Sequence, residues 1–479
     1  MTDRPGTRAA RRALLLALSL AGCTVGPDFH PPVADLPARW QGYETASPAV
    51  GTTPWWRDFG DPVLDRLEDA AAAGNLDLRL AGQRLDAASI ARAASQGEAL
   101  PQVGGQLGYS RNRIGTAGLA SALAPLLGVQ PDQAAGASPV GYDFDLYQAG
   151  ISAGWDIDLW GRHRREVEAA TAGIAQAEAA ARGARLSVEA AVAQAYWQWR
   201  GLVAERALAR RDAALGKRNL AIARALKDRG LATGIAVRTV EGQQRARRDA
   251  LIALDDEIAR TARALAVLTG GRPDSPPVAD DTPFAAPHLA APGPGLPSDL
   301  ARRRPDILEA EAALHAATAA IGAAQADFYP SLNLSGLFSI DVLHLADFGW
   351  DARSTSVGPA LSLPIFTGGR LRRQLALRHV QERAAALTYR KTVLEAWREV
   401  DDALGMVHAL DRRRDLAAED RSACAQTVAA LEARYRRGDI AAAPLIEAQA
   451  AEIAADRAYL RQTIAGALAR IQLRLALGG

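Results

Sequence analysis

Four short segments of the chain alternate apolar with polar or small residues, which is the period-two pattern of β-strands. The clearest alternation lies within residues 150–162 and leads directly into a long run of helix-forming residues. The other three segments are 102–110, 331–340 and 356–363. No further strand is predicted to cover their apolar faces, and about nine residues is the length of a tilted strand that crosses a bilayer. The pattern therefore predicts a sheet in contact with lipid. The apolar positions of the clearest strand are Ile151, Ala153, Trp155, Ile157 and Leu159.

Long helices separate these strands. Residues 161–228 contain no proline, which predicts one helix of about 100 Å at roughly 1.5 Å per residue. A turn at Arg229-Gly230 ends this helix, and a return helix is predicted over about 237–269. Asp61 and Pro62 are expected to start a shorter helix, and another is predicted over 76–99. A coiled-coil seam is predicted at Val188, Val192, Ala195, Trp199 and Leu202.

The same order of elements occurs twice: helix, strand, loop, strand, long helix, turn and return helix. Gly161-Arg162 are matched by Gly369-Arg370, and Arg229-Gly230 by Arg437-Gly438. We therefore predict an internal structural duplication, in which the first hairpin has the longer outer loop, at 112–145. The two repeats are assigned to 61–271 and 298–479, with a Pro-rich linker over 272–297.

The N-terminus has the features of a bacterial lipoprotein signal. Basic residues precede a short apolar run, and the run ends in Leu20-Ala21-Gly22-Cys23, which resembles a lipobox. Residues 1–22 are the predicted signal peptide, and Cys23 is the predicted first residue of the mature chain, carrying a covalent lipid with palmitate. Thr24, in place of Asp, resembles lipoproteins that are sorted to the outer membrane. Residues 23–60 are predicted to be a lipid-anchored extended segment because prolines are frequent there.

Composition argues against several other functions. The net charge is +2, which does not indicate nucleic acid as a partner. The sequence lacks a phosphate loop, a nucleotide fingerprint and a metal-binding cluster among its seven histidines, so no enzyme activity and no cofactor beyond the lipid on Cys23 are predicted. Residues 150–154 spell G-x-S-x-G, but the alternation continues beyond Ser152. Ser152 is therefore interpreted as a pore-facing strand residue, because a nucleophile would need a sharp turn.

Four further blocks of the sequence are distinctive: Cys23-Thr24-Val25-Gly26-Pro27-Asp28-Phe29, Trp55-Trp56, Arg303-Arg304-Pro305-Asp306 and Phe328-Tyr329-Pro330-Ser331. Together they resemble the lipoprotein branch of the outer-membrane efflux-channel family. The resemblance implies an outer-membrane exit duct of a tripartite efflux system, associated with multidrug resistance. Such a duct passively conducts small molecules from an inner-membrane RND-type pump and a periplasmic adaptor to the cell exterior.

Four strands cannot form a closed barrel, and an open sheet edge in lipid leaves backbone groups unpaired, so the chain must oligomerise. The residues alone favour three or more copies, and the resemblance implies a homotrimer. The predicted fold is a mixed α and β membrane protein. It is a trimeric β-barrel with four strands per subunit, continuous with a long periplasmic α-helical barrel. The expected location is the bacterial outer membrane, with the protein lipid-anchored and extending into the periplasm.

The resemblance also assigns site residues. The two turns between long and return helices correspond to the periplasmic tips that dock the adaptor, and an acidic position of the family's aperture corresponds to Glu447. Relatives have a constricting apolar residue where this chain has Ala443, so a tight hydrophobic gate is not expected here. The predicted docking residues are Arg229, Gly230, Leu231, Thr233, Arg437, Gly438, Asp439 and Ile440.

Three alternatives remain open from the sequence. A periplasmic adaptor lipoprotein would share the acylated cysteine and the helical hairpin, but would lack four membrane strands and the duplication. A protein-export duct would share the architecture and differ in cargo. A lipoprotein hydrolase would require Ser152 in a pocket.

Overall fold

A computed structural model describes much of the chain as two compact units. It describes residues 24–33, 37, 40, 54–115, 141–279, 284–288, 293, 295 and 297–479. The predicted signal peptide and Cys23 lie outside these residues. The first unit, here called the sheet unit, comprises the described residues within Met1–His30, Ser89–Ala172 and His315–Ala384. The second, here called the helical unit, comprises those within Pro31–Ala88, Gly173–Leu314 and Ala385–Gly479.

The helices and strands alternate along the chain as follows. They are α1 (Pro62–Gly74), α2 (Leu76–Glu98), β1 (Gln102–Gly115), β2 (Gly141–Ile157), α3 (Arg162–Asp228), α4 (Gly234–Leu268), α5 (Pro305–Ala326), β3 (Ser331–Val342), β4 (Arg353–Ser362), α6 (Arg370–Arg436) and α7 (Ala442–Leu477). Single turns of helix occur at Trp55–Phe59, Pro297–Asp299, Leu300–Arg303, Leu345–Asp347 and Trp350–Ala352.

The four strands form one antiparallel sheet in the order β1-β2-β3-β4. Its register places the predicted apolar positions of all four strands on the same face: Val103 lies opposite Ala153, and Trp155 lies opposite Leu334. The opposite face carries polar or small residues such as Ser152 at most positions, although Leu337 lies there, as do Phe144 and Leu146 towards the hairpin loop. Pro359 lies in β4, which is an edge strand of this sheet, where a missing backbone N–H is tolerated.

The first hairpin is longer than its apolar alternation predicted. The expected loop over 112–145 is wrong at both ends, because β1 and β2 remain paired as far as Gly115 and Gly141. Polar side chains support this extension; Arg113 lies 3.7 Å from Asp143 across the two strands. At its other end β2 stops at Ile157, before the predicted Leu159. The backbone turns there because the Asp158 carboxylate accepts a hydrogen bond from the Arg164 N–H at the start of α3.

The helices agree closely with their predicted positions. Both α3 and α6 have 67 residues, and α4 and α7 have 35 and 36. The Asp61 side chain caps α1 by accepting from the Val63 N–H at 2.9 Å. Helix α4 begins at Gly234, three residues earlier than predicted, because the Thr233 hydroxyl caps it at the Ala236 N–H. In the part of the chain that the structure describes, no helix has the length and apolar character needed to cross a membrane.

The core of the helical unit is built along the predicted seam. Val188, Val192 and Trp199 are buried, while Ala195 and Leu202 pack at the margin of the same cluster. A second cluster contains Val400, Leu404 and Val407 of α6, together with residues of α7. Arg304 ties α5 to these helices, since its guanidinium bonds Asp306, Glu399 and the Ala476 carbonyl within 2.8 Å. The Arg-Arg-Pro-Asp block therefore has a structural role.

Candidate functional site

The turn between α3 and α4 is closed by a glycine in the left-handed region. Gly230 has φ +73°, and its N–H donates to the Lys227 carbonyl at 2.9 Å. The Leu231 N–H donates to the Leu226 carbonyl at 2.8 Å, which completes a Schellman motif. The helix thus ends abruptly, and residue 230 has to be glycine to adopt this conformation without strain. Leu231 is left 72% exposed at the tip.

The turn between α6 and α7 has the same backbone hydrogen bonds. Gly438 has φ +76°, its N–H donates to the Tyr435 carbonyl, and the Asp439 N–H donates to the Arg434 carbonyl, both at 3.0 Å. The Arg437 Nε lies 3.0 Å from the Asp439 carboxylate, so an exposed ion pair occupies this tip. Its return helix lacks a side-chain cap, because residue 441 is alanine.

The predicted docking residues therefore lie in two turns with one geometry and different side chains. Ile440 is half-buried, and the other seven docking residues, two of which are glycines, are exposed. An ion pair between Arg224 and Glu241, 2.7 Å long, joins α3 to α4 near the first turn. The hydrogen bond from Arg224 lowers the pKa of the Glu241 carboxyl, so this pair is charged at neutral pH.

Glu447 and Ala443 share one face of α7, because they are four residues apart. Both residues are exposed. Among the residues that the structure describes, the Glu447 carboxylate has no hydrogen bond or ion pair. Gln449 lies on a different face of the helix and contacts Glu432 of α6 at 3.0 Å. The face with Glu447 is therefore turned away from the contact between α6 and α7.

The sequence did not predict the ion pairs that join the helices above these turns. Asp456 of α7 binds Arg211 of α3 at 2.9 Å and Arg421 of α6 at 2.8 Å, and its side chain is 13% exposed. One carboxylate thus bridges the two helical hairpins. Its partners lie on separate helices distant along the chain, and no local pattern in the sequence connects them.

The G-x-S-x-G letters at residues 150–154 lie inside a continuous strand. Ser152 pairs with Gly104 and Leu337 inside the sheet, so its strand continues where a nucleophile elbow would turn. Within the described residues, no three His, Cys, Asp or Glu side chains are grouped so that they could hold a metal ion.

Comparison with known proteins gives consistent matches along most of the chain. The family model described as outer membrane efflux protein matches residues 67–271 and 296–479. The chain is 30% identical over 477 residues to the outer membrane protein OprJ of Pseudomonas aeruginosa, covering 98% of this chain and 95% of OprJ. It is 28% identical over 494 residues to the probable efflux pump outer membrane protein TtgC of Pseudomonas putida, covering 99% and 96%.

Solved structures give the same result. The outer-membrane channel OprN superposes with a TM-score of 0.81 at 28% identity, covering 95% of this chain and 99% of that one. The open state of the MtrE outer membrane channel of Neisseria gonorrhoeae gives 0.79 at 25% identity, covering 95% and 98%. These matches confirm the resemblance identified from the sequence and decide against the adaptor and hydrolase alternatives. The chain belongs to the outer membrane efflux protein family.

Proposed function

We propose that this protein is the outer-membrane exit duct of a tripartite efflux system. The observation that carries the proposal is the apolar face shared by all four strands. On this face Leu107 is 87% exposed, Val357 80% and Leu361 70%, so the single chain leaves a continuous apolar surface uncovered. A surface of that kind is stable against hydrocarbon, and the polar opposite face suits contact with water. Relatives named as efflux pump outer membrane proteins support the same function.

The sheet has two edge strands, β1 and β4, within the described part of the chain. Unpaired edge groups in lipid cost several kcal/mol each, so β4 of one copy is expected to pair with β1 of the next. Three copies would supply about twelve strands, enough for a water-filled lumen. We propose a homotrimeric β-barrel that continues into a periplasmic barrel formed by the long helices. The two helical hairpins, with their nearly equal lengths and matching turns, are proposed to derive from an internal duplication, with repeats at 61–271 and 298–479.

The duct conducts small molecules passively. Substrates enter at the periplasmic end from an RND-type pump and an adaptor, diffuse along the lumen and leave outside the cell. The energy comes from the inner-membrane pump. Docking of the adaptor is assigned to Arg229, Gly230, Leu231 and Thr233 in the first turn, and to residues 437–440 in the second.

The aperture is assigned to the exposed face of α7 near the second turn. Three copies of Glu447 around the trimer axis would form a carboxylate ring that concentrates cations. Ala443, one turn before it, has too small a side chain to form an apolar constriction. Charge, more than steric closure, is therefore expected to control this end of the duct.

The mature chain is proposed to be anchored by lipid on Cys23. Three measurements test this assignment and the duct function together. The full chain, expressed in a bacterium that lacks its own exit duct, is fractionated, and the purified protein is reconstituted in planar bilayers. We expect a heat-labile trimer in outer-membrane fractions, discrete single-channel conductance, and lipid labelling that is lost in Cys23→Ala. A monomer released from membranes by salt would contradict the duct, and continued labelling of Cys23→Ala would contradict the lipid site.

A further inference from the structure

The ends of β2 and β4 lie at the same height on the sheet. Leu332 of β3 pairs with Ile157 on one side and with Leu361 on the other, so these two residues are level. Each strand then leads into a long helix, through residues 158–161 after β2 and 363–369 after β4. The two strand-to-helix junctions can therefore be compared directly, because they start from one level of the same sheet.

The junction after β2 is covered by the beginning of the described chain. The Val25 N–H donates to the Trp160 carbonyl at 3.1 Å. Thr24 packs so closely on Gly161 that a Cβ there would lie 2.6 Å from its Cγ2 atom. The guanidinium of Arg165, a buried residue, bonds Asp28 at 2.8 Å and keeps the segment in place.

This contact holds Thr24 and Val25 beside Trp160 and Gly161, just beyond the end of β2. Cys23, the proposed lipid site, directly precedes Thr24 in the sequence. The proposed lipid is thus attached next to a residue that is held at the level of Trp160. Trp160 itself stacks on Tyr329, with ring centroids 4.8 Å apart, and Trp and Tyr are the residues enriched at the boundary between lipid and water.

The junction after β4 has no such cover among the described residues. Ile365 is 91% exposed and Phe366 is 90% exposed, although both are large apolar side chains. Arg370, Arg372 and Arg373 follow directly and are also exposed. Within the part of the chain that the structure describes, none of these three arginines forms an ion pair with an acidic side chain.

We propose that residues 363–373, here called the interfacial segment, form a second, non-covalent membrane anchor that binds anionic phospholipid of the periplasmic leaflet. Ile365 and Phe366 insert among the acyl chains, and Arg372 and Arg373 bind the phosphates. This inference rests on the proposed function, which places Cys23 and its lipid at the membrane boundary. The shared level of the two junctions then places the interfacial segment at that boundary.

Two features favour lipid over a second copy of the chain as the occupant. The segment begins at the same level of the sheet as the junction that holds Thr24, the residue next to the proposed lipid site, and its charge complements phosphate groups. Apolar side chains with arginines close by are typical of protein surfaces that lie in the headgroup region. A protein partner would have to provide both an apolar pocket and unpaired acids at this same height.

A fluorescent label at Phe366 tests the proposal. The chain contains two cysteines, so a Cys23→Ala, Cys424→Ser background exported on a non-lipoprotein signal carries only the introduced thiol. Phe366→Cys is labelled with an environment-sensitive fluorophore and reconstituted in nanodiscs containing anionic lipid. Leu107→Cys, on the apolar face of the sheet, serves as the membrane reference, and Val33→Cys, 95% exposed, as the aqueous reference.

We expect the Phe366 label to be quenched by bilayer-embedded quenchers and to be several-fold less sensitive to aqueous iodide than the Val33 label. Iodide quenching equal to that at Val33 would overturn the anchor. Protection from both quenchers would also overturn it, because a second copy would then cover the segment. If the Leu107 label also escapes the bilayer quenchers, the proposed membrane sheet itself fails, and the anchor fails with it.

The arginines provide an independent measurement. In native mass spectrometry of the lipidated protein, each of Arg372→Gln and Arg373→Gln is expected to weaken retention of anionic over zwitterionic phospholipid about fivefold. Arg412→Gln and Arg413→Gln, two exposed arginines further along α6, are the matched controls and should change nothing. Equal loss in both pairs would contradict specific binding at the interfacial segment.

Discussion

The helical unit and the sheet use their apolar residues in opposite ways. In the helical unit, Trp197 and Val192 are 1% and 0% exposed, and each is covered by helices of the same chain. In the sheet, Leu107 and Val357 are 87% and 80% exposed on a face where every strand is apolar. One chain therefore completes its helical core by itself, whereas the apolar face of the sheet must be covered from outside.

This difference shows that the free energy of folding has a different source in the two regions. Burial within the chain stabilises the helical unit in water, because it removes apolar side chains from the solvent. The sheet gains the corresponding free energy only when lipid replaces water around it. The same substitution should therefore have different consequences in the two regions, and the difference should depend on the surrounding medium.

The largest expected effect is in the helical core. Trp197→Ala should destabilise the helical unit by about 3–5 kcal/mol, because it removes a buried ring that packs on Phe59 with centroids 5.6 Å apart. Thermal unfolding in detergent, followed by circular dichroism, measures this loss. Leu107→Ala, an exposed truncation, is the matched control and should shift the midpoint little. Similar losses at both positions would mean that the apolar face of the sheet is buried within the protein.

The sheet should respond to charge only in lipid. Leu107→Arg should reduce insertion into vesicles, because an arginine facing the middle of the bilayer costs about 2–4 kcal/mol. Gln106→Arg places the same side chain on the neighbouring strand position, which faces the opposite side. It should insert nearly as well as the unsubstituted protein. Flotation with vesicles measures insertion, and urea titration in lipid measures stability. Equal defects of the two variants would contradict the assignment of one face of the sheet to lipid.

A buried carboxyl makes the helical core sensitive to pH. Burial, aided by the nearby charge of Glu189, raises the pKa of Glu68 from 4.5 to about 9. The unfolded chain loses this proton above about pH 4.5, whereas the folded chain keeps it, so this contribution to stability falls as the pH rises from 4.5 to about 9. Glu68→Gln should therefore stabilise the protein by about 2–3 kcal/mol at pH 7.

Melting curves across that pH range test the prediction. The gain from Glu68→Gln should shrink towards zero as the pH falls below about 4.5, where the Glu68 carboxyl is protonated in the folded and the unfolded chain alike. Asp77→Asn replaces an exposed acid of the next helix that is not among the charges acting on Glu68, and it is the control. A constant gain at every pH would show that packing, not ionisation, separates the two proteins.

The smallest effect on stability is expected at the aperture, where the change is in conduction. Glu447 is exposed on α7, so Glu447→Ala should leave the melting temperature nearly unchanged. It should raise single-channel conductance and weaken cation preference, because the carboxylate ring no longer holds cations that bridge its members. Glu419→Ala removes another exposed acid, on α6. If both variants conduct alike, Glu447 does not belong to the gate.

Much of the fold could be predicted from local patterns. The period-two alternation predicted four strands. Runs without proline predicted the long helices, and the glycines that follow them predicted both turns. These features are local, since the position of a strand face, a cap or a left-handed glycine depends on a few neighbouring residues. The strand ends were less predictable, because the pairing of 111–115 with 141–145 depends on polar partners across the hairpin.

The sequence alone determined which residues are apolar on each strand and where each long helix begins and ends. Only the tertiary structure decided that the four apolar faces coincide, that Asp456 bridges two helical hairpins and that the two strand-to-helix junctions share one height. Each of these depends on pairing between segments far apart in the chain. The free energy of such pairing comes from the register and packing of whole elements, which no short stretch of residues encodes by itself.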